Sequence, residues 1–147
     1  MNGSLVLARE ASFDSVTGFY RTLDRDGAVR DALGAILRPG DAGYKEAAQL
    51  NLVNGLSNLK VGNMKTSTNS ALTITESSFL APMATVNGET YFAFEAASSD
   101  QLNHFKVLGT NLFGFEDLRG LGDRDFDDLV FGFSFSPIVP VTPSVPV

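Results

Sequence analysis

A chain of 147 residues with a formal net charge of −6, 12 Phe, 3 Tyr and neither Cys nor Trp is long enough for one domain with a real core. The missing cysteines exclude a disulfide framework, a thiolate metal site and a thiol nucleophile. The acidic balance argues against nucleic acid, whose phosphates it would repel, and makes divalent cations the natural partners.

The opening Met1-Asn2-Gly3-Ser4-Leu5-Val6-Leu7-Ala8-Arg9 has no basic n-region and too short an apolar run for a signal peptide. No stretch reaches the ~20 apolar residues of a membrane helix, and the chain reads as a piece of a longer protein. Ser, Thr, Asn and Gly are abundant, a mix common in extracellular all-β modules. A secreted domain without disulfides needs another staple, and calcium is one.

Leu5–Ala8 is the first strand candidate and Val16–Leu23 the second, with Phe19, Arg21 and Leu23 alternating against Tyr20 and Thr22. Asp24-Arg25-Asp26-Gly27 follows as a turn. With Asp31 its aspartates form a candidate second calcium loop, but Ala28 occupies what would be the fifth ligand position, and the Asp-Gly turn is the preferred reading. Ala35–Gly40 reads as a strand ending in a turn. Asp41 is the expected N-cap of the one convincing helix, whose apolar side carries Tyr44, Ala47, Ala48 and Leu52 and which Gly55 can stop.

From Leu59 to Gly88 short apolar pairs stand in a Thr/Ser/Asn-rich background, at Leu59–Val61, Ala71–Thr75, Phe79-Leu80 and Met83–Val86, and predict short strands joined by polar turns. Asn87-Gly88 is the tightest hairpin signal, with Glu89–Ala96 returning so that Phe92 and Phe94 face one way and Tyr91, Ala93 and Glu95 the other. Ser98–Asn103 is a polar loop. His104, the single histidine, opens the next strand, where a hydrogen-bonded structural role is the usual one.

The organising segment lies at 114–128. Glu116, Asp117, Asp123, Asp125, Asp127 and Asp128 place six carboxylates beside only two arginines, Arg119 and Arg124. Crowded carboxylates raise one another's pKa unless a cation holds them ionised, and calcium accepts six to eight hard oxygens in flexible geometry. Asp123, Asp125 and Asp127 recur every second residue, so an extended loop presents them on one side, and Gly120 and Gly122 permit the curvature. A loop starting at Asp123 lacks the EF-hand glycine and glutamate. The alternative is a merely solvated connection; the unbalanced charge and the aromatic flanks favour the metal.

Leu129, Phe131, Phe133 and Phe135 then share one face of a core strand. Pro137, Pro140, Pro143 and Pro146 recur every third residue, the period of polyproline II, and predict a semi-rigid linker over 137–147 after a domain at 1–136.

Phe19–Asp24 with Pro39–Tyr44, then Tyr91–Glu95, then Phe113–Leu118 running into Gly122–Val130 resemble the bacterial domain of unknown function 4114 family. The phenylalanine-glutamate-aspartate and aspartate-x-aspartate-phenylalanine-x-aspartate elements are the most specific part. The resemblance implies a calcium-dependent β-sandwich of large secreted or surface proteins, adhesins among them. Carried over by position, it implies ligands from Glu116, Asp117, Asp123, Asp125 and Asp128, with Asp127 where the family often has asparagine. At Ser98–His104 the chain departs from the asparagine and aspartate-glycine pair of many members.

The expected class is therefore all-β, a jelly-roll-like antiparallel β-sandwich with one short helix. The expected function is calcium-dependent recognition of a glycan or peptide at a cell surface, with Asp100, Asn103, His104 and Asn111 as neighbouring contacts and Tyr91 or Tyr20 to stack on a sugar. The alternative is a calcium-stabilised structural spacer. Catalysis is not expected: metal-bound carboxylates are unavailable as a general acid, and no nucleophile arrangement, phosphate loop or dinucleotide fingerprint is present.

Overall fold

The computed structural model describes residues 2–9, 15–53, 56–57, 59, 66–73, 79–109, 112–116, 119–121 and 129–136. The elements follow in the order β1 (Asn2–Arg9), β2 (Ser15–Thr22), β3 (Val29–Arg30), β4 (Ile36–Leu37), α1 (Tyr44–Leu50), β5 (Thr66–Thr73), β6 (Phe79–Val86), β7 (Glu89–Phe92), β8 (Phe105–Gly109), β9 (Leu112–Phe115) and β10 (Leu129–Ser136). Every pairing between them is antiparallel. A five-stranded sheet runs β5-β1-β10-β9-β8, a three-stranded sheet runs β2-β6-β7, and β3-β4 form a small ribbon. The class is all-β with a single short helix among the described residues, as expected.

The strand period of two decides the layering. In β2 Phe19 turns one way and Tyr20 the other; in β7 Tyr91 and Phe92 do the same. Phe19, Ala84, Val86 and Tyr91 of the smaller sheet meet Phe105, Phe115 and Phe131 of the larger one in one buried cluster. Phe19 sets its ring edge onto Phe131 at 5.4 Å and 89°, the arrangement aromatic quadrupoles favour. On the opposite face of the smaller sheet Tyr20, Ala81, Met83 and Phe92 pack against Val29 and against Tyr44, Ala47 and Ala48 of α1. The result is three layers: large sheet, small sheet, then helix and ribbon.

Two buried tyrosines fasten that third layer. The Tyr44 hydroxyl donates to the carbonyl of Gly27 at 2.6 Å. Its hydrogen is thereby committed, so Tyr20, 3.0 Å away, is the donor in the Tyr20–Tyr44 pair. Gly27 itself sits at φ +91 with Phe94 against it, where a Cβ would come within 2.6 Å of the ring, so only glycine fits.

Several sequence expectations are refined. The hairpin at Asn87-Gly88 forms with φ 51 and 78, the two positive angles of a type I′ turn. The helix begins at Tyr44 behind Gly43 at φ 84, not at an Asp41 cap, because Asp41 turns back to accept the amide of Arg38 at 2.8 Å. It ends at Leu50 with Asn51 closing it, ahead of Gly55, which lies outside the described residues. Phe79-Leu80 and Met83–Val86 are one continuous strand through Pro82. The β7 rungs stop at Met83 opposite Phe92, so Pro82 falls where β6 has a neighbour only on its β2 side, the condition under which a residue without an N–H is tolerated in a sheet. Leu59 makes a single bridge to Thr17, and β5 begins earlier than the Ala71–Thr75 expectation. Residues 74–75 and the proline-rich 137–147 lie outside the described residues.

Candidate functional site

Strand β7 ends at Phe92, and the chain must recross before β8 can start. Its unpaired edge is closed by Ser98, whose Oγ accepts the Phe92 amide at 2.9 Å and donates to the Phe92 carbonyl at 3.0 Å, while the Ser99 amide reaches the Thr90 carbonyl. An exposed strand edge is thus capped by a loop. The loop then folds on its own polar side chains. Asp100 Oδ1 accepts the Leu102 amide at 3.1 Å, Gln101 takes φ 58, and Asn103 Oδ1 accepts the Phe105 amide at 2.9 Å where β8 begins. These are the local side-chain to backbone bonds for which Asp and Asn are favoured in turns.

His104 continues the β8-β9 ladder by one pair, its carbonyl accepting the Glu116 amide at 2.9 Å. The ring is fully buried and lies on Tyr91, with centroids 3.7 Å apart and planes at 17°. Both nitrogens are engaged: Nδ1 with the Glu116 carbonyl at 2.6 Å and Nε2 with Asp100 Oδ2 at 2.7 Å. A carbonyl can only accept, so Nδ1 carries a hydrogen. Asp100 Oδ2 also accepts the Gly120 amide at 2.9 Å, so this one oxygen is shared between the ring and the backbone. The ring is held between the Glu116 carbonyl and the Asp100 carboxyl group, with the Tyr91 face beneath it.

Burial works to raise the Asp100 carboxyl, but hydrogen bonds from Gly120, His104 and Leu102 and the His104 charge together hold it below its ordinary value of 3.8. A carboxylate depressed in the folded state stabilises the fold above its unfolded value, and that contribution disappears as pH falls through the lower folded one. Acid unfolding should therefore be less steep below about pH 4 in Asp100→Asn than in the parent, as read by urea unfolding across pH 2–5. Parallel acid limbs would show that Asp100 does not contribute.

Glu116 stands at the end of β9 with 1% of its surface exposed, at the entrance to the acidic segment. Gly120 and Leu121 follow at φ 76 and 74, with Leu121 buried. A leucine in the left-handed region is sterically costly and is held there by its surroundings. The structure therefore brings Asp100, Asn103, His104 and Glu116 to one end of the sandwich. Asn111, Asp117, Asp123, Asp125, Asp127 and Asp128 lie outside the described residues. Tyr91, considered as a sugar platform, is buried under His104 and directs its hydroxyl to Glu89 at 2.5 Å; Tyr20 is likewise buried.

Asp24 and Asp31 serve turns. Asp24 Oδ1 accepts the amides of Asp26 and Ala28, and Asp31 Oδ1 those of Leu33 and Ala35. Among the described residues no three acidic or histidine side chains gather as a metal-holding group, and the Asp24, Asp26 and Asp31 set is not one. The sequence did not reveal the Asp100–His104 pair, although a spacing of four across an Asp-initiated turn was a signal for it.

A family model described as domain of unknown function (DUF4114) matches residues 53–136, the stretch that carries β5 to β10 and the whole Asp100–His104–Glu116 arrangement. No curated protein and no solved structure matches the chain. Since the matched segment is more than half of the 147 residues, the chain belongs to the DUF4114 family.

Proposed function

We propose that this domain is a non-enzymatic, calcium-dependent module of a secreted or cell-surface bacterial protein, with Glu116, Asp117, Asp123, Asp125, Asp127 and Asp128 holding the ion. The observation that supports it best is the buried Glu116 carboxylate at the head of the acidic run. A set of hard carboxylate oxygens fits calcium rather than a softer ion. Calcium, when bound, supplies a hard centre that offsets carboxylate repulsion and can accept further oxygen donors.

In the recognition role those further donors are sugar hydroxyls or a peptide carboxylate. Asp100 and His104 already use their polar atoms within the fold, and Asn103 its Oδ1, so a ligand would be met at the ion and from Asn111 rather than by Asp100 or His104. The same observation favours the second reading, a structural spacer in which calcium only rigidifies the module. A buried His104 with both nitrogens engaged also supports the non-enzymatic assignment.

Metal that binds only the folded state stabilises it by about 2.7 kcal/mol at a hundredfold excess over Kd. The melting temperature is expected to rise with calcium in the parent, and Asp123→Asn with Asp125→Asn should lose most of that rise while melting like the parent in chelator. An unchanged melting temperature on adding calcium would refute the module's calcium dependence. Binding to a glycan or peptide array that vanishes in chelator selects recognition over the spacer.

A further inference from the structure

Helix α1 does not cover the whole outer face of the small sheet. Beside it lies a half-open hollow of about 230 Å³. Two neighbouring rungs of the β2-β6 ladder build its floor, Val16 opposite Thr85 and Gly18 opposite Met83, and the strand period of two puts all four on one face. Leu52 forms a wall, with Gln49 from the last turn of α1 and Ser57 at the rim. That wall is pinned to β2 through the backbone. The Phe19 amide donates to the Leu56 carbonyl at 2.8 Å, the Val53 amide to the Phe19 carbonyl at 2.9 Å, and Thr17 and Leu59 exchange both bonds. Gly18 permits the close approach, since a Cβ there would come within 2.7 Å of Leu52 and 3.3 Å of the Leu56 carbonyl. The shape is therefore set before any ligand arrives, as is usual for small-molecule sites.

The lining selects a chemical class. Val16, Leu52 and Met83 offer apolar surface, whereas Gln49 and Ser57 are exposed and present an amide and a hydroxyl. Thr85 Oγ1 lies 3.2 Å from Thr90 Oγ1 and keeps acceptor capacity beyond that one bond. None of the lining residues is ionisable, so nothing there would meet the charge of a phosphate or carboxylate. The volume falls below the about 300–1,000 Å³ of sites for drug-sized ligands, which suits one ring rather than a chain of them. We propose that the hollow binds a single neutral sugar unit, with its C–H face on Val16 and Met83 and its hydroxyls toward Gln49, Ser57 and Thr85. No carboxylate lines the hollow, so this binding needs no calcium and is separate from any glycan contact at the ion.

The test uses the full chain in excess chelator, where a glycan held at the ion would be lost and this one kept. The probes are the methyl glycosides of glucose, galactose and mannose, and N-acetylglucosamine. A ligand of this size with ordinary binding efficiency per atom has a Kd of about 1 mM. In nitrogen–proton correlation spectra at least one probe should move the amide signals of Gly18, Gln49, Ser57 and Thr85 along one saturating curve, while Lys106 and Gly114 on the large sheet stay in place. Gln49→Ala, a change at an exposed helix position, and Thr85→Val each remove one hydrogen-bonding group and should weaken that binding by about two- to tenfold. Should Thr85→Val fail to fold, Gln49→Ala decides alone. No saturating shift from any of the four probes at about 20 mM, shifts confined to other amides, or parent-like affinity in the folded variants overturns the proposal. Cyclohexanol binding as tightly as the best sugar also overturns it, because the hollow would then be reading apolar surface rather than hydroxyls.

Discussion

Phe131→Ala is expected to lower the unfolding free energy by about 3–5 kcal/mol, the range for removing a fully buried aromatic side chain. Phe131 is fully buried in the middle of the large sheet, on a strand flanked by β1 and β9. It touches three other rings: Phe19 across the sandwich at 5.4 Å, Phe105 at 6.0 Å and Phe113 at 5.9 Å. Its removal therefore takes away contact between the two sheets as well as contact within one. The neighbours cannot collapse into the space, because each belongs to a strand fixed by its own ladder, and the cavity adds to the lost transfer energy. Urea unfolding provides the measurement, with Leu33→Ala as the reference, since Leu33 is 94% exposed and its loss should stay within about 0.5 kcal/mol. A double-mutant cycle with Phe19→Leu should return a coupling of about 0.5–1.5 kcal/mol for the edge-to-face pair. A Phe131→Ala loss below about 1 kcal/mol would mean that the sheets are not joined through this ring.

What could be read from the sequence was what depends on neighbours in the chain. Asn87-Gly88 dictates a type I′ turn by its own tolerance of positive φ, and it does so whatever surrounds it. The alternation in Glu89–Phe92 and in the phenylalanine-rich last strand likewise assigns faces before any partner is known. The misreadings arise where two local options compete or where a distant element decides. Asp41 can cap a following helix or close a preceding turn, and its carboxylate takes the Arg38 amide, leaving Gly43 to start the helix. Pro82 argues against a continuous strand until it is known that β7 is too short to reach it. The Asp100–His104–Gly120 contacts at the candidate site were invisible for the same reason. Asp100 and His104 are four residues apart, but Gly120, twenty residues further on, becomes the third partner only after β8 and β9 have paired.

His104→Ala is expected to cost about 2–6 kcal/mol, from about 1–3 kcal/mol for each of two buried groups left without a hydrogen-bond partner. The alanine leaves the Glu116 carbonyl without its Nδ1 partner and Asp100 without its Nε2 partner, and each deprived group keeps its full desolvation cost. The stacking on Tyr91 is lost too. His104→Phe separates the two contributions, because it restores a ring for Tyr91 and neither hydrogen bond. If the polar terms dominate, the phenylalanine variant recovers no more than about 1.5 kcal/mol, the value of an aromatic pair beyond its area. The pH dependence gives a second discrimination. In the parent the attraction between Asp100 and His104 needs the carboxylate, whose pKa is depressed by its partners, so the contribution is present above about pH 4 and fades as pH falls through the lowered value. The stability gap between parent and His104→Ala should accordingly narrow in acid. A gap that stays constant from pH 7 to pH 3, together with full recovery by phenylalanine, would show that His104 acts there only as a packed ring.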